Sequence, residues 1–199
     1  MTKKRFAYHA ALLCAALIAL ILLNFLATSI YASNNPPANQ KDIEQLLSLQ
    51  TAVDRLIIPR IKVNAPVDPV NTNASGAMAV PSNEPWEHVG WYINGPYPGE
   101  QGSAVIDGHL DRPGGFPAVF WNLRQLQPGD QVLYDAPGQL RLRFRVTKVA
   151  FYTPTQAPVQ AIFNNRRGRF LNLVTCAGTW IPAIHQTTLR LVVYTTLVK

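Results

Sequence analysis

Residues 172–180 read Asn-Leu-Val-Thr-Cys-Ala-Gly-Thr-Trp, which predicts the end of a β-strand followed by a glycine-containing loop. The stretch contains Cys176, one of only two cysteines in the 199-residue chain. Because successive side chains in a strand point to opposite faces, Leu171 and Leu173 share one face, and Asn172 shares the other with Cys176. The pattern therefore predicts a cysteine on the strand face that points away from the core.

Short apolar runs of the same kind recur along the chain, separated by turns that draw on 16 prolines and 12 glycines. The predicted strands are 55–59, 60–63, 65–67, 77–81, 103–108, 131–135, 140–148, 149–153, 170–176 and 187–197. Short helices are predicted at 116–126 and 159–164. Many short strands without alternating helices favour an all-β domain, either an antiparallel sandwich or a closed barrel.

Two further polar side chains occupy the outward face of predicted strands. Arg190 alternates with Leu189 and Leu191, and His109 lies on the same side as Asp107 after an apolar run. Taken alone, each has an ordinary explanation as an exposed strand charge or a hydrogen-bonded loop histidine. Together with Cys176 on an outward face, they form a candidate site.

The three residue types complement one another in acyl transfer. A free thiol has a pKa of about 8.5, and a neighbouring cation favours the nucleophilic thiolate. Histidine titrates near neutrality, so it can accept a proton and then donate it. Arginine presents several hydrogen-bond donors to a carbonyl oxygen that becomes negative. A set of Cys176, His109 and Arg190 is therefore sufficient for acyl transfer through a thioester.

The N-terminal region predicts a membrane anchor. Lys3, Lys4 and Arg5 precede residues 6–32, which contain no Asp, Glu, Lys or Arg and are mostly apolar. About 20 apolar residues are enough to cross a bilayer as a helix, and the basic flank predicts that the N-terminus lies inside. A cleaved signal peptide is the alternative, but Ile30 occupies the position where its cleavage site needs a small residue.

These features divide the chain into four parts. Residues 1–5 are predicted to be cytoplasmic, 6–32 to span the bacterial cell membrane once, 33–53 to form a linker with a short helix at 41–53, and 54–199 to fold outside the cell. Outside the membrane, thiols tend to be oxidised in pairs, yet Cys14 lies in the predicted span and leaves Cys176 alone. An unpaired cysteine there is either an inert buried thiol or a reactive one.

The formal charge of +7 does not point to nucleic acid. Three of the positive charges lie at residues 3–5, and the remaining excess comes from two clusters, Arg141, Arg143 and Arg145, and Arg166, Arg167 and Arg169. Alternation places the first cluster on one strand face, where a solvated surface explains it. The membrane segment also argues against a nucleic-acid partner.

In this order, the candidate residues resemble the cysteine sortase family. The family's Thr-Leu-x-Thr-Cys motif is matched by Leu173-Val174-Thr175-Cys176, with Asn172 in place of the first Thr. Its Gly-His pair is matched by Gly108-His109. Its arginine is matched by Arg190 in the next strand. Further matches at 58–61, 90–92, 98–100, 104–109 and 129–130 extend the resemblance over about 54–198. The Gly-Trp-Tyr and Pro-Gly-Glu elements are most similar to class E and F sortases.

The resemblance implies an eight-stranded β-barrel anchored in the membrane. It further implies cleavage of an LPxTG-like sorting signal between Thr and Gly, with Cys176 attacking the Thr carbonyl, His109 protonating the leaving amine and Arg190 holding the oxyanion. The partners would be surface proteins that bear sorting signals and an amine of a peptidoglycan precursor or a pilin. No metal and no cofactor are expected.

The resemblance also suggests residues around the catalytic set. Thr175 is expected to help place the substrate, and Trp180 and His185 to wall the substrate groove. Asp107 and Asp111 flank His109, and turn capping is their expected role.

Two other interpretations fit parts of the pattern. An L,D-transpeptidase also uses Cys, His and Arg, but its histidine lies close before a cysteine in a Ser-x-Gly-Cys-type motif, whereas Thr175 precedes Cys176 here. A membrane-anchored β-barrel that only binds a partner, with Cys176 buried and inert, is the non-enzymatic alternative.

Overall fold

The computed structural model describes residues 39, 41, 43, 44, 53–73 and 76–198. The chain divides into two units, residues 1–50 and residues 51–199. In the first unit Lys41, Ile43 and Glu44 are helical, as predicted for the start of the linker helix, whereas Val53 in the second unit is not. None of the helices in the described part of the chain is long and apolar enough to span a bilayer. The predicted anchor at residues 6–32 lies outside that part.

The described residues of the second unit form ten strands and four short helical segments. The strands are β1 (Arg55–Ile58), β2 (Val63–Val70), β3 (Val89–Tyr92), β4 (Gly102–Asp107), β5 (Asp111–Arg112), β6 (Phe116–Pro117), β7 (Gln131–Asp135), β8 (Leu142–Tyr152), β9 (Arg169–Ile181) and β10 (Gln186–Leu197). The helical segments are the 3-10 turns η1 (Pro59–Ile61), η2 (Leu123–Gln125) and η3 (Pro182–Ile184), and one short α-helix, α1 (Val159–Phe163).

Eight of these strands close into a barrel in the order β1-β2-β3-β4-β9-β10-β8-β7, and β5 and β6 form a separate two-stranded sheet. The predicted all-β, eight-stranded barrel is thereby confirmed. The expectation of an antiparallel sheet holds for most neighbours, but β2 pairs with β3, and β4 with β9, in parallel. Parallel neighbours need a long connection, and the chain between β4 and β9 contains β7, β8 and α1.

Two hydrophobic clusters lie on opposite faces of the barrel wall. The larger fills the interior and includes Ile106, Leu173 and Leu191. The smaller packs Val105 and Val192 of the outer face against Ile162 of α1 and is likewise buried. Alternation along each strand explains both clusters, because adjacent residues such as Val105 and Ile106 point to opposite sides of the sheet.

The predicted helix at 116–126 is wrong. Phe116 and Pro117 form β6, and only the three residues of η2 are helical further on. Phe120, Leu123 and Leu126 are all buried in the core. Their spacing of three fits a succession of 3-10 turns as well as it fits an α-helix, which explains the misleading pattern.

Other strand predictions also change. The predicted strand at 60–63 is wrong, because Pro59–Ile61 form η1 and only Val63 belongs to β2. The predicted strand at 170–176 does not end in a loop, because β9 continues through Gly178 to Ile181.

The predicted strand at 77–81 is reduced to one isolated bridge between Met78 and Thr72. The two predicted strands at 140–148 and 149–153 are one strand, β8, because Lys148 and Val149 both pair with β10. Strand β3 was not predicted, and its pairing with β2 and β4 is non-local.

Candidate active site

Cys176 and Arg190 face each other across two neighbouring strands. Cys176 lies in β9 as a half-buried free thiol, and Arg190 of β10 is its register partner. Leu173 and Leu191 on the same strands point into the barrel core. By alternation, Cys176 and Arg190 project from the outer face, as the sequence predicted.

His109 is brought to this pair by the end of β4. Beyond the last residue of that strand, the Gly108 amide donates to Val174 O at 3.3 Å. In return the Thr175 hydroxyl donates to Gly108 O at 2.7 Å. These bonds tie the peptide before His109 to the residues before Cys176. The structure therefore places Cys176, His109 and Arg190 on adjoining segments at one point of the barrel wall.

Gly108 is required by close packing at this junction. A Cβ atom on Gly108 would lie 2.8 Å from the Phe120 ring and 2.9 Å from Val119. Phe120 is fully buried, and its amide donates to His109 O at 3.0 Å. Any larger residue would push the loop away from the core and move His109 with it.

The His109 imidazole is half-buried against Trp86, with 4.8 Å between the ring centroids and 51° between the ring planes. Burial lowers the pKa of His109 below its ordinary value, and the nearby Asp111 carboxylate partly opposes that shift. The imidazole is therefore mainly neutral at neutral pH, the form that can accept a proton from a thiol. Trp86 was not anticipated, because no motif in the sequence distinguishes it.

Arg190 is held from one end of its guanidinium. Nη1 donates to Thr187 O, Thr187 Oγ1 and Leu189 O at 3.2, 3.0 and 3.0 Å. Nε and Nη2 have no hydrogen-bond partner among the described residues. Those two groups remain as donors for a bound carbonyl oxygen.

Thr175 is buried, with 3% of its surface exposed, and its hydroxyl is engaged by Gly108. Its side chain therefore lies inside the barrel wall, and its predicted role in placing the substrate stays a prediction. The hydrogen bond of Thr175 joins β9 to the segment that follows β4.

Trp180 and His185 lie at the end of the β9–β10 hairpin. Trp180 is 53% exposed, and its ring meets that of His185 edge-on at 6.1 Å. His185 adopts a left-handed backbone conformation, with a φ of 50°, directly after η3. The two side chains contact each other in the extension of the strands that carry Cys176 and Arg190, and their predicted contact with substrate remains a prediction.

Asn172 stands where the sortase motif has a threonine, and its side chain makes a buried hydrogen bond. A threonine side chain is shorter and has no amide group to donate this bond. Asn172 Nδ2 donates to Ile162 O of α1 at 2.6 Å, and both residues are buried. Ile162 in turn packs on Val105 and Val192, with Val174 beside them. Asn172 thus holds α1 against an apolar part of the outer face. Cys176 lies further along β9 on the same face.

Asp107 does not cap a turn, so that prediction is wrong. It is the last residue of β4, pairs with Gly90 and Val174, and has only 9% of its surface exposed. Its Oδ1 has no hydrogen-bond partner within the described part of the chain. Burial raises the pKa of Asp107 to about 8, against a smaller opposing effect of a backbone hydrogen bond. Asp111, by contrast, is exposed in β5.

Within residues 53–73 and 76–198, no three His, Cys, Asp or Glu side chains are grouped so that they could hold a metal ion.

Comparison with known proteins identifies the class to which this fold and site belong. A family model described as the sortase domain matches residues 56–198, which is more than half of the chain. The chain therefore belongs to the sortase family, whose members are transpeptidases. The match favours the sortase interpretation over an L,D-transpeptidase. No protein of curated function matches the sequence significantly.

Solved sortase structures share the fold. A lid mutant of sortase A from Corynebacterium diphtheriae is 19% identical, with a TM-score of 0.58, over 82% of this chain and 81% of that one. The Clostridium perfringens sortase D5 transpeptidase is 19% identical, with a TM-score of 0.55, over 81% and 91% of the two chains.

Sortase C1 of pilus island 1 from GBS (group B Streptococcus) is 22% identical, with a TM-score of 0.57, over 73% of this chain. The matched region spans 64% of the sortase C1 chain. At these levels of identity the likeness concerns the barrel, so the residue roles depend on the geometry described above.

Proposed function

We propose that this sortase cleaves an LPxTG-like sorting signal between Thr and Gly and transfers the acyl fragment to an amine. The observation that carries the proposal is the pairing of Cys176 with Arg190 across β9 and β10, with the His109 segment bonded alongside. This arrangement supports the proposal, because acyl transfer needs a nucleophile, a proton carrier and a donor for an oxyanion close together.

In the first step, neutral His109 accepts the thiol proton of Cys176, and the thiolate attacks the Thr carbonyl carbon. The π electron pair of the C=O bond moves onto the oxygen atom, and the Nε and Nη2 groups of Arg190 stabilise the resulting oxyanion. When the oxyanion collapses, the Thr–Gly C–N bond breaks, and protonated His109 gives its proton to the departing glycine amine. The products are a thioester on Cys176 and a free amine fragment.

In the second step, an amine attacks the thioester carbonyl, and His109 takes the proton that the amine loses. The C–S bond breaks, the thiolate of Cys176 regains a proton, and the acyl group is joined to the new amine by a peptide bond. The acceptor is an amine of a peptidoglycan precursor or of a pilin subunit. Water as an acceptor would give slow hydrolysis in place of transfer.

Intact mass spectrometry of the full chain with an LPxTG-type peptide tests the first step. We expect a mass increase equal to the acyl fragment, located on Cys176, together with release of the glycine-led fragment. The Cys176→Ala variant should give no adduct, whereas Cys14→Ala, which changes the only other cysteine, should give the wild-type adduct. An adduct that persists in Cys176→Ala, or folded protein that reacts with no such peptide, contradicts the proposal.

Addition of an amine to the purified adduct tests the second step. We expect the enzyme mass to return to its original value while a peptide that carries the added amine appears in equal amount. Release of the free acid alone, whichever amine is added, would identify the chain as a hydrolase.

We also propose that residues 6–32 anchor the enzyme in the cell membrane with its N-terminus inside and the barrel outside. The three basic residues before an uncharged apolar run support this orientation. Protease treatment of intact cells is expected to remove the barrel and leave the N-terminal segment in the membrane, and protection of the barrel would contradict the orientation.

A further inference from the structure

The register of the β9–β10 hairpin changes immediately beyond the catalytic pair. Leu189 pairs with Ala177, but the next paired residues are Thr187 and Trp180. Two residues of β9 therefore stand opposite one residue of β10, which is the arrangement of a β-bulge. Bulges of this kind re-aim side chains next to active sites.

Gly178 makes the bulge possible. Its φ of +78° lies in the left-handed region, and a Cβ atom there would be 2.2 Å from Thr188 Oγ1. That hydroxyl oxygen also accepts a hydrogen bond from the Thr179 amide at 2.9 Å, which fixes the bulge from the opposite strand. Only glycine meets both the backbone and the steric requirement at this position.

Beyond the bulge, Thr187 connects directly to the catalytic arginine. Its side chain is 8% exposed, and its hydroxyl donates to Leu189 O at 3.1 Å. Thr187 Oγ1 itself accepts a hydrogen bond from Arg190 Nη1 at 3.0 Å. Because its proton is committed to Leu189, the lone pairs of this hydroxyl are available to the guanidinium in a fixed direction.

We propose that Thr187 is a positioning residue for Arg190. The inference deepens the proposed function and rests on it for the role of the arginine. Thr187 and the carbonyl groups beside it hold Nη1, so that the planar guanidinium is fixed on the outer face and keeps Nε and Nη2 for the oxyanion. A flexible arginine would have to be ordered during the reaction, whereas a tethered one is ordered beforehand.

The acylation rates of Thr187→Val, Thr187→Ser and Thr195→Val test whether the hydrogen bond from Arg190 to Thr187 (the tether) positions the arginine. Thr187→Val removes the hydroxyl but keeps the shape, and we expect the acylation rate constant to fall about tenfold, the equivalent of about 1.4 kcal/mol. The KM for the peptide should change little, because the tether acts on the oxyanion. Thr187→Ser restores the hydroxyl and should recover most of the rate.

Thr195→Val is the matched control, since Thr195 is a buried threonine of the same strand whose hydroxyl donates to Leu171 O at 2.7 Å. It should lose stability but keep the rate. Equal rates in Thr187→Val and Thr195→Val would overturn the inference, as would a Thr187→Ser variant no faster than Thr187→Val.

A second measurement does not depend on transpeptidation. Alkylation of Cys176 by iodoacetate, an anion, is compared with alkylation by neutral iodoacetamide in the full chain carrying Cys14→Ala. A guanidinium held beside Cys176 should favour the anion, so the ratio of the two rates should fall in Arg190→Ala and in Thr187→Val, but not in Thr187→Ser or Thr195→Val.

The alkylation ratio separates the two proposals. If wild-type enzyme forms no acyl adduct while the ratio falls in Thr187→Val, the tether stands and the proposed function fails. If the ratio is the same in wild type, Arg190→Ala and Thr187→Val, Arg190 is not held beside Cys176 and the positioning role of Thr187 is overturned, whatever the activity of the enzyme.

Discussion

The Thr175 hydroxyl donates a 2.7 Å hydrogen bond to Gly108 O and so joins the residue before Cys176 to the residue before His109. Cys176 and His109, the proposed nucleophile and proton carrier, are far apart in sequence, and this bond ties together the residues that precede them. The parallel pairing of β4 with β9 ends at Asp107 and Val174, just before both residues. Thr175 therefore extends the connection between the two strands to the site itself.

We expect Thr175→Val to lower both stability and acylation rate. Loss of one buried hydrogen bond costs about 1 kcal/mol, and the orphaned Gly108 carbonyl adds to that cost. The acylation rate should fall more than tenfold, because His109 is no longer held at a fixed distance from Cys176, while Thr175→Ser should retain most of it. Thermal unfolding and intact-mass kinetics measure the two effects. A Thr175→Val variant that, like the control Thr195→Val, loses stability alone would show that the bond is only structural.

Arg190→Lys is expected to reduce the acylation rate about 100-fold, the effect of losing an oxyanion donor. The structure explains why the positive charge is not enough. Nη1 is occupied by Thr187 and Leu189, so the remaining nitrogens of the fork are needed for substrate, and lysine has only one nitrogen. Arg143→Lys, at an exposed position of β8, is the control and should behave as wild type. Near-normal turnover in Arg190→Lys would remove Arg190 from the oxyanion role.

Asp111→Asn is expected to move the acid side of the pH–rate profile to lower pH. The Asp111 carboxylate favours protonated His109, so its removal allows burial to lower the pKa of His109 further. Neutral His109, the form that accepts the thiol proton, then persists to lower pH. The profile of kcat/KM against pH measures the shift. Asp135→Asn, which removes a carboxylate paired with Arg141 instead, should leave the acid side unchanged.

Asp107→Asn is expected to stabilise the protein increasingly as pH rises. The pKa of Asp107 is raised to about 8 in the folded state by burial, so the folded protein binds this proton more tightly than the unfolded chain. Ionisation therefore costs nothing below the ordinary pKa of about 4, and the cost grows by up to about 1.4 kcal/mol per pH unit until about pH 8. Urea unfolding of both proteins at pH 4, 6 and 8 measures this difference. A difference that does not change with pH would contradict the prediction.

Tyr134→Phe is expected to destabilise the barrel at pH 7 by about 1 to 2 kcal/mol, the contribution of a hydrogen bond to a carboxylate. Tyr134 and Tyr97 both donate to Asp54 Oδ2 at 2.5 Å, and Asp54 O accepts from the Val67 amide. This network fastens the chain just before β1 to the barrel. Thermal unfolding at pH 7 measures the loss. Tyr92→Phe, whose ring packs edge-on against Phe163, is the control.

The same network predicts how stability changes in alkali. Burial, followed by the bond to Asp54, raises the pKa of Tyr97 to about 12 and also raises that of Tyr134. Because the folded state holds these protons more tightly, their stabilisation is complete below about pH 10 and is lost as pH rises towards about 12. Wild-type protein should therefore lose stability more steeply than Tyr134→Phe over that interval. Parallel slopes would show that the hydroxyls do not contribute in this way.

The parts of the structure that the sequence predicts well depend on local alternation. Cys176 and Arg190 face outward as expected, because β9 and β10 remain regular where the two residues pair. Beyond them the bulge at Gly178 shifts the alternation of β9 by one residue, so the orientation of Trp180 could not be read from the sequence. The bulge depends on the positive φ of Gly178, which the sequence pattern does not reveal.

Other features depend on contacts between distant segments and leave no local pattern. The parallel pairing of β4 with β9 brings His109 to Cys176, yet neither strand carries a signal of its partner. The same holds for Asn172, whose bond to Ile162 O explains a departure from the family motif only when α1 is seen above it. Motif order and strand alternation thus predicted the candidate residues, and tertiary pairing supplies their arrangement.

The outward position of Cys176 has a practical consequence. The side chains that fill the barrel belong to its neighbours on the inner face, so Cys176→Ala leaves no cavity in the core and should fold like the wild type. A folded but inert enzyme would bind its proposed sorting-signal substrates without cleaving them. Immobilised on a column, it would serve as an affinity bait for capturing physiological substrates from cell-envelope extracts.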